Sequence, residues 1–229
     1  MIKQKSDFLI SNNDRFFAIF MAFSGGACDV YCHVHFNGLV ATQTGNIVLI
    51  ASDLSQKNWT GMLPKMVSII AFTIGFLLGI WIKEKTSIRN WQLYTLIPVI
   101  FVTSLIPMFS SQFQLLKIYF LALVTGLIML SFTGSKIEGN PYTIMMTSGN
   151  YRKMLSEWYI YLTPYGKSKD LKRNAQNYSL VVASFILGAL TVAFINHIFL
   201  NYSIWITTIT FSFSFVLKFY QIKKYQKTL

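Results

Sequence analysis

A helical integral membrane protein of six spans, built as a 3+3 inverted repeat, is the fold this sequence predicts. Three observations predict it. Apolar stretches near twenty residues, the length that crosses a bilayer core, recur along the 229-residue chain. Charged residues make up only 12% of the chain, against about 25% in a soluble domain, and they cluster between the apolar stretches. A Thr-Gly-Asn segment in the first half returns as Ser-Gly-Asn in the second.

The spans fall at about residues 16–35, 63–82, 93–109, 113–133, 177–199 and 203–217. Pro98 and Pro107 lie in the third and favour a kink there. Two more segments are ambiguous. Residues 38–52 are apolar but interrupted by Thr42, Gln43, Thr44, Gly45 and Asn46; residues 142–159 carry Arg152, Lys153 and Glu157. Three charges do not face lipid, so the second segment does not cross. No small-residue cleavage site follows a short apolar core, so the first span is expected to be retained.

Charge sets the orientation. With six spans and a cytoplasmic N-terminus, seventeen Lys and Arg lie inside, and Lys57, Lys65 and Lys117 lie outside. Eight spans would export the Lys83–Arg89 cluster and draw Arg152 and Lys153 into the membrane. Both termini are therefore expected in the cytoplasm. The net charge of +12 sits at span ends, and no helix-turn-helix or aromatic RNA-binding sheet accompanies it, so nucleic acid is excluded as a partner. The lipid bilayer is the expected surrounding.

Three spans per half require that any repeat be inverted. The halves are residues 1–112 and 113–229 of a single membrane domain. Thr44-Gly45-Asn46 recurs as Ser148-Gly149-Asn150 at an offset of 104, which also pairs Phe16 with Phe120 and Ala18 with Ala122. Phe72 and Gly75 answer Phe185 and Gly188 at an offset of 113. The nine additional residues fall in the basic loop 167–173.

In each Ser/Thr-Gly-Asn segment, an extended stretch (36–43 or 139–147) leads into a short helix. Thr44 and Ser148 are expected as N-caps. Non-helical backbone at membrane depth survives only where protein or a wet cavity covers it, and a half-helix start aims unpaired N–H groups at that place. One reading is two re-entrant or broken segments meeting at a central polar site. The other is a tight bend with Gly for backbone freedom and Asn for local hydrogen bonds.

Asp29 is the only acidic residue deep in a span. A carboxylate there marks an ion or substrate path, or ties the span to the Thr-Gly-Asn bend. Cys28, Cys32, His33 and His35 match no standard zinc spacing, and buried cysteines are usually small hydrophobes, so neither a metal nor another cofactor is expected. No Ser-His-Asp order, P-loop or His-Glu-x-x-His motif is present, and no enzyme is expected. Gly75-x-x-x-Gly79 has the spacing of a helix contact face.

Gly26-Ala27-Cys28-Asp29, Gly38-Leu39-Val40 and Thr44-Gly45-Asn46, with the later Ser148-Gly149-Asn150, resemble the signature of the YoaK-like family of small bacterial membrane proteins. Ser148 stands where that family often has Thr. The resemblance covers essentially the whole chain. It implies a six-span, multi-pass protein of the bacterial cytoplasmic (inner) membrane, of a kind labelled permease or domain of unknown function. It adds weight to Asp29, Thr44, Gly45, Asn46, Gly149 and Asn150 and supplies no substrate.

The expected function is passage of a small solute or ion, as transporter or channel, through a site made by Asp29, Thr44, Gly45, Asn46, Ser148, Gly149 and Asn150. Loss of flux with normal expression is expected of Asp29→Asn and Asn46→Ala. The rival is a non-transporting scaffold or assembly protein whose basic loop 152–173 docks anionic headgroups. Six short spans enclose little volume, which leaves room for a homodimer.

Overall fold

In the computed structural model of the chain, residues 14–88, 90–164 and 166–226 are described, without the side chains of Tyr225 and Gln226. Lys3, Lys5, Arg89 and Lys227 of the charge count lie outside the described residues. The chain runs through α1 (Arg15–Phe36), α2 (Gln43–Ser55), α3 (Trp59–Lys85), α4 (Trp91–Tyr94), α5 (Leu96–Leu105), α6 (Gln114–Ser131), a small hairpin of β1 (Lys136–Ile137) and β2 (Asn140–Pro141), α7 (Ser148–Leu162), α8 (Lys169–Phe199) and α9 (Trp205–Gln226). Five stretches of described residues are long and apolar enough to cross a bilayer: Arg15–Phe36, Trp59–Lys85, Trp91–Met108, Ser111–Ser131 and Lys169–Lys224. The last holds both α8 and α9.

Local chemistry explains most boundaries. Asp14, Asn58 and Ser168 cap α1, α3 and α8 by accepting backbone N–H groups of Phe16, Gly61 and Leu171. Asn37 closes α1 in the left-handed conformation, donating its N–H to the carbonyls of Cys32 and His33. The hairpin turns through Glu138 and Gly139, both at positive φ, as a two-residue turn requires.

The third apolar stretch is not one helix. It breaks between Tyr94 and Leu96, and Ile106–Met108 form a 3-10 turn. Pro98 lacks the N–H that would bond the Tyr94 carbonyl, and Pro107 cannot continue α5 in α-helical form. α8 opens at Lys169, eight residues before the start read from hydropathy, because Ser168 and Asp170 make a good polar helix start.

Two long helix pairs carry the core: α1 lies along α8, and α3 lies along α6. Their crossings depend on glycine. A Cβ on Gly26 would collide with the Phe185 carbonyl, and one on Gly188 with the Phe23 carbonyl. A Cβ on Gly75 would meet the Leu123 carbonyl, and one on Gly126 the Phe72 carbonyl. Small residues let these backbones touch, which drives packing where lipid removes the hydrophobic incentive. Gly26 and Phe23 stand 100 positions before Gly126 and Leu123, and Gly75 and Phe72 stand 113 before Gly188 and Phe185. Each glycine crossing thus has a counterpart in the other helix pair.

α2 and α7 lie outside this core. α2 packs on α3 and α7 on α8, and each buries a single residue, Asn46 and Asn150 respectively. Their other faces expose Ile47, Val48 and Leu54, and Tyr151, Leu155 and Tyr159.

Candidate functional site

After α1 the chain turns back beside its own helix. Asp29 lies seven residues before the end of α1, about 10 Å along the axis at 1.5 Å per residue. Residues 37–42 return to that depth. One Asp29 carboxylate oxygen accepts the N–H groups of Val40 (2.8 Å) and Ala41 (2.7 Å), and the other accepts the Thr42 hydroxyl. The carboxyl group is nearly inaccessible. A buried carboxyl group is tolerable only when it is hydrogen-bonded, and these three donors engage both of its oxygens.

Asn46 brackets the same loop. Its side-chain oxygen accepts the Leu39 N–H (2.8 Å), and its amide nitrogen donates to the Leu39 carbonyl (2.7 Å) and to Gln43 Oε1 (2.8 Å). Gln43 donates to the Val40 carbonyl, and Ser68 of α3 donates to the Leu39 carbonyl. Asp29, Gln43, Asn46 and Ser68 therefore satisfy a stretch of non-helical backbone that lipid could not.

Asn150 repeats the bracket. It accepts the Thr143 N–H (3.0 Å) and donates to the carbonyls of Thr143 (2.7 Å) and Met146 (2.8 Å). Leu39 and Thr143 are separated by 104 positions, as are Asn46 and Asn150. The bend before Asn150 is fully buried at Met145, which holds a positive φ of 53°. The Met145 backbone packs against Gly25, where a Cβ would collide with it. Gly25 and Asp29 are four apart on one face of α1. The two bends thus come to rest on the same helix, one turn apart.

The hydroxyls read as caps do other things. The N-caps of α2 and α7 are Thr42 and Thr147, and neither makes a side-chain cap bond. The Thr42 hydroxyl goes to Asp29 instead. Thr44 and Ser148 lie within α2 and α7 with exposed side chains, so the expected capping by them does not occur. Gly45 and Gly149 are helical and partly covered. Both Asn amides are engaged by backbone, so these two residues build the bends. Gly25, Thr42, Gln43, Ser68 and Met145 join the site without having been singled out in the sequence. Thr42 and Gln43 sit inside the interrupted segment, and Gly25 stands in the Gly25-Gly26 pair; nothing local marks Ser68 or Met145.

On the opposite side of the second bend, Glu138 accepts two bonds from Arg173 and one from Asn177 (2.9 Å). The Arg173 bonds foremost, then Asn177, hold the Glu138 carboxyl at about 2, well below its ordinary 4.5. Lys153 and the Tyr178 hydroxyl both donate to the Pro141 carbonyl. On the first bend's side, Lys65 of α3 is buried and reaches Asp53 at 2.7 Å and the Gly61 carbonyl at 2.8 Å, joining the end of α2 to α3.

Spanning helices with glycine crossings and polar groups turned onto buried backbone define a helical membrane protein. Residues 17–217 match a family described as "Protein of unknown function (DUF1275)". The chain belongs to that family, which agrees with the YoaK-like resemblance read from its motifs. Neither the curated proteins nor the solved structures yield a match.

Proposed function

We propose that this protein passes a small solute or ion across the bacterial inner membrane, using six spans in a 3+3 inverted repeat with both termini in the cytoplasm. The observation that carries the reading is the meeting of the two Asn-bracketed bends on one face of α1, at Asp29 and Gly25. Paired glycine crossings at offsets of 100 and 113 support the repeat. Broken segments meeting near mid-membrane are the places where transporters hold substrate. In this reading the halves are residues 1–112 and 113–229. Asp29 supplies the ionisable group, Thr42 its partner hydroxyl, and Asn46 and Asn150 keep the bends in place. Thr44, Gly45, Ser148 and Gly149 open the two half-helices toward the pathway.

Asp29→Asn separates charge from geometry. The asparagine oxygen still accepts from Val40 and Ala41, and its amide donates to the Thr42 oxygen. The variant is expected to fold, and to lose passage of small neutral and cationic solutes in a liposome-swelling assay that the wild type supports. Unchanged swelling rates across the solute panel would remove Asp29 from the pathway. No swelling with the wild type would end the reading.

A further inference from the structure

Buried polar side chains in a spanning helix are costly, and α9 carries a row of them. Ser203, which immediately precedes α9, and Thr207, Thr210, Ser214 and Lys218 recur every three or four residues and are all buried. They share one face of the helix. That face meets α1 in antiparallel register. The Thr207 hydroxyl faces the Cys28 thiol, Thr210 and Ser24 share a hydrogen bond of 2.7 Å, Lys218 lies over the Phe17 ring, and Gln221 donates to Asp14. At the other end, His35 and Ser203 both contact Asn196 Oδ1, at 2.6 and 3.1 Å. Between Cys28 and His35 the Tyr31 hydroxyl is fully buried and has no partner among the described residues. From Ser203 to Gln221 the row covers about 27 Å at 1.5 Å per residue, close to a hydrocarbon core.

Hydroxyls in spanning helices often serve only as glue, bonded back to the preceding turn. Thr207 and Ser214 do bond back, to the carbonyls of Ile204 and Thr210, and of Ser24 and Thr210 one bonds back, to Phe20 or Thr207, while the other donates across the seam. Glue does not explain the asymmetry. Under the repeat proposed above, Trp91 and Trp205 open corresponding stretches at an offset of 114. The positions matching Thr207, Thr210 and Ser214 are Leu93, Leu96 and Ile100, and those matching Ser24 and Cys28 are Val124 and Ile128. Leu93, Leu96, Val124 and Ile128 are buried, and α5 packs on α6. Thr95, Thr103 and Thr125 are buried hydroxyls elsewhere along α5 and α6, but at these five matched positions one half carries hydrocarbon where the other carries hydroxyls and a thiol. Packing alone does not need them.

We propose that the α1–α9 seam is a proton path across the bilayer, running between His35 and the Lys218–Asp14 end. Each hydroxyl accepts a proton on its oxygen and passes on its own, so one proton moves per relay and no group is consumed. Successive levels are one helical turn apart, about 5.4 Å, a gap that one bridging water closes. Tyr31 offers its unpartnered hydroxyl to such a water. Lys117 of α6 lies within electrostatic range of His35, and Asp14 within range of Lys218, so each end holds a charged group beside the relay.

The full chain, reconstituted in phosphatidylcholine liposomes with a trapped pH-sensitive dye, is driven by a valinomycin-set potassium potential. Wild-type liposomes are expected to change internal pH faster than protein-free ones. The near-isosteric substitutions Thr207→Val and Thr210→Val are each expected to lower that rate by up to about tenfold, the value of one lost hydrogen bond. Ser214→Ala, a smaller change that folds more easily, should lower it in the same direction. Thr103→Val, which removes a hydroxyl paired with Thr208 outside the seam, should leave it unchanged. A wild-type rate equal to that of empty liposomes, or seam variants as fast as wild type, would overturn the path. So would an equal loss in Thr103→Val. Solute swelling without proton flux would overturn the path and leave the solute reading standing; proton flux without swelling would do the reverse.

Discussion

Asn46 and Asn150 hold their bends with the same two hydrogen bonds to the residue seven positions earlier, yet different groups stand behind them. Behind the first bend are Asp29 and Ser68, both buried, and the half-buried Gln43, all joined to neutral backbone or hydroxyl groups. Behind the second is a hairpin tied by Glu138, Arg173, Asn177 and Lys153, of which Arg173 is exposed and Glu138 and Lys153 are half-buried. Position 29 has no acidic counterpart: Met129 and Thr133 stand at offsets of 100 and 104. A bend of fixed shape can thus be held by a buried carboxylate or by an interfacial ion pair. Only the second answers to salt and acid, because water reaches and screens its charges.

The contrast can be broken most forcefully through charge burial. Lys65→Met leaves Asp53 without its partner, and loss of one member of a buried pair costs about 3 kcal/mol or more. Thermal unfolding in detergent is expected to show this, while Arg173→Met at the exposed pair moves the midpoint far less. Equal shifts would mean that Lys65 is not desolvated.

Asp29→Ala strands the N–H groups of Val40 and Ala41 and the Thr42 hydroxyl, for an expected loss of about 2–3 kcal/mol. Asp29→Asn should recover most of it. Hydrogen exchange at Val40 and Ala41 reads the difference directly. If the alanine variant protects those amides as well as wild type does, Asp29 does not hold the bend.

The two Asn brackets offer a finer comparison. Asn46→Ala is expected to cost about 2 kcal/mol and Asn150→Ala about 1, because interfacial water can replace the lost partners only around the second bend. Asn46→Ala therefore does not leave folding intact, contrary to what its sequence position alone suggests, since its amide is built into the backbone of the loop.

The smallest effect is the acid response of the hairpin. Glu138 is lower in pKa when folded than when unfolded, so its support is complete above about pH 4.5 and is lost as pH falls toward about 2. The difference in melting temperature between wild type and Glu138→Gln should shrink across that interval. A difference that persists at its lower end would assign the hairpin's stability to Lys153 and Tyr178 instead.

Much of this was legible in the residues. Apolar run lengths located the membrane helices, and the recurring Gly-Asn pairs located both bends. Phe72 with Gly75 and Phe185 with Gly188 marked the helix crossings. Asp29 stood out because no other acid lies so deep. Less legible were the partners. The Thr42 hydroxyl outcompeted Thr44 for a functional place because the returning chain delivers it to Asp29, a matter of tertiary path. Ser68 sits in an ordinary apolar helix and gains its role only because Leu39 is laid beside it. The third apolar stretch gave a proline warning, and the break fell one turn before Pro98, as the missing N–H dictates.

The sequence by itself determined that apolar stretches of membrane-spanning length recur, that charges are confined between them, and where regular helix must fail. Those properties follow from run length, charge placement and local backbone chemistry, which need no knowledge of neighbours. The tertiary structure alone decided that both bends rest on α1, that Asp29 closes on Val40, Ala41 and Thr42, and that the polar face of α9 meets the polar face of α1. Hydrogen bonds act over about 3 Å, so residues far apart in the chain become partners only after the helices have packed.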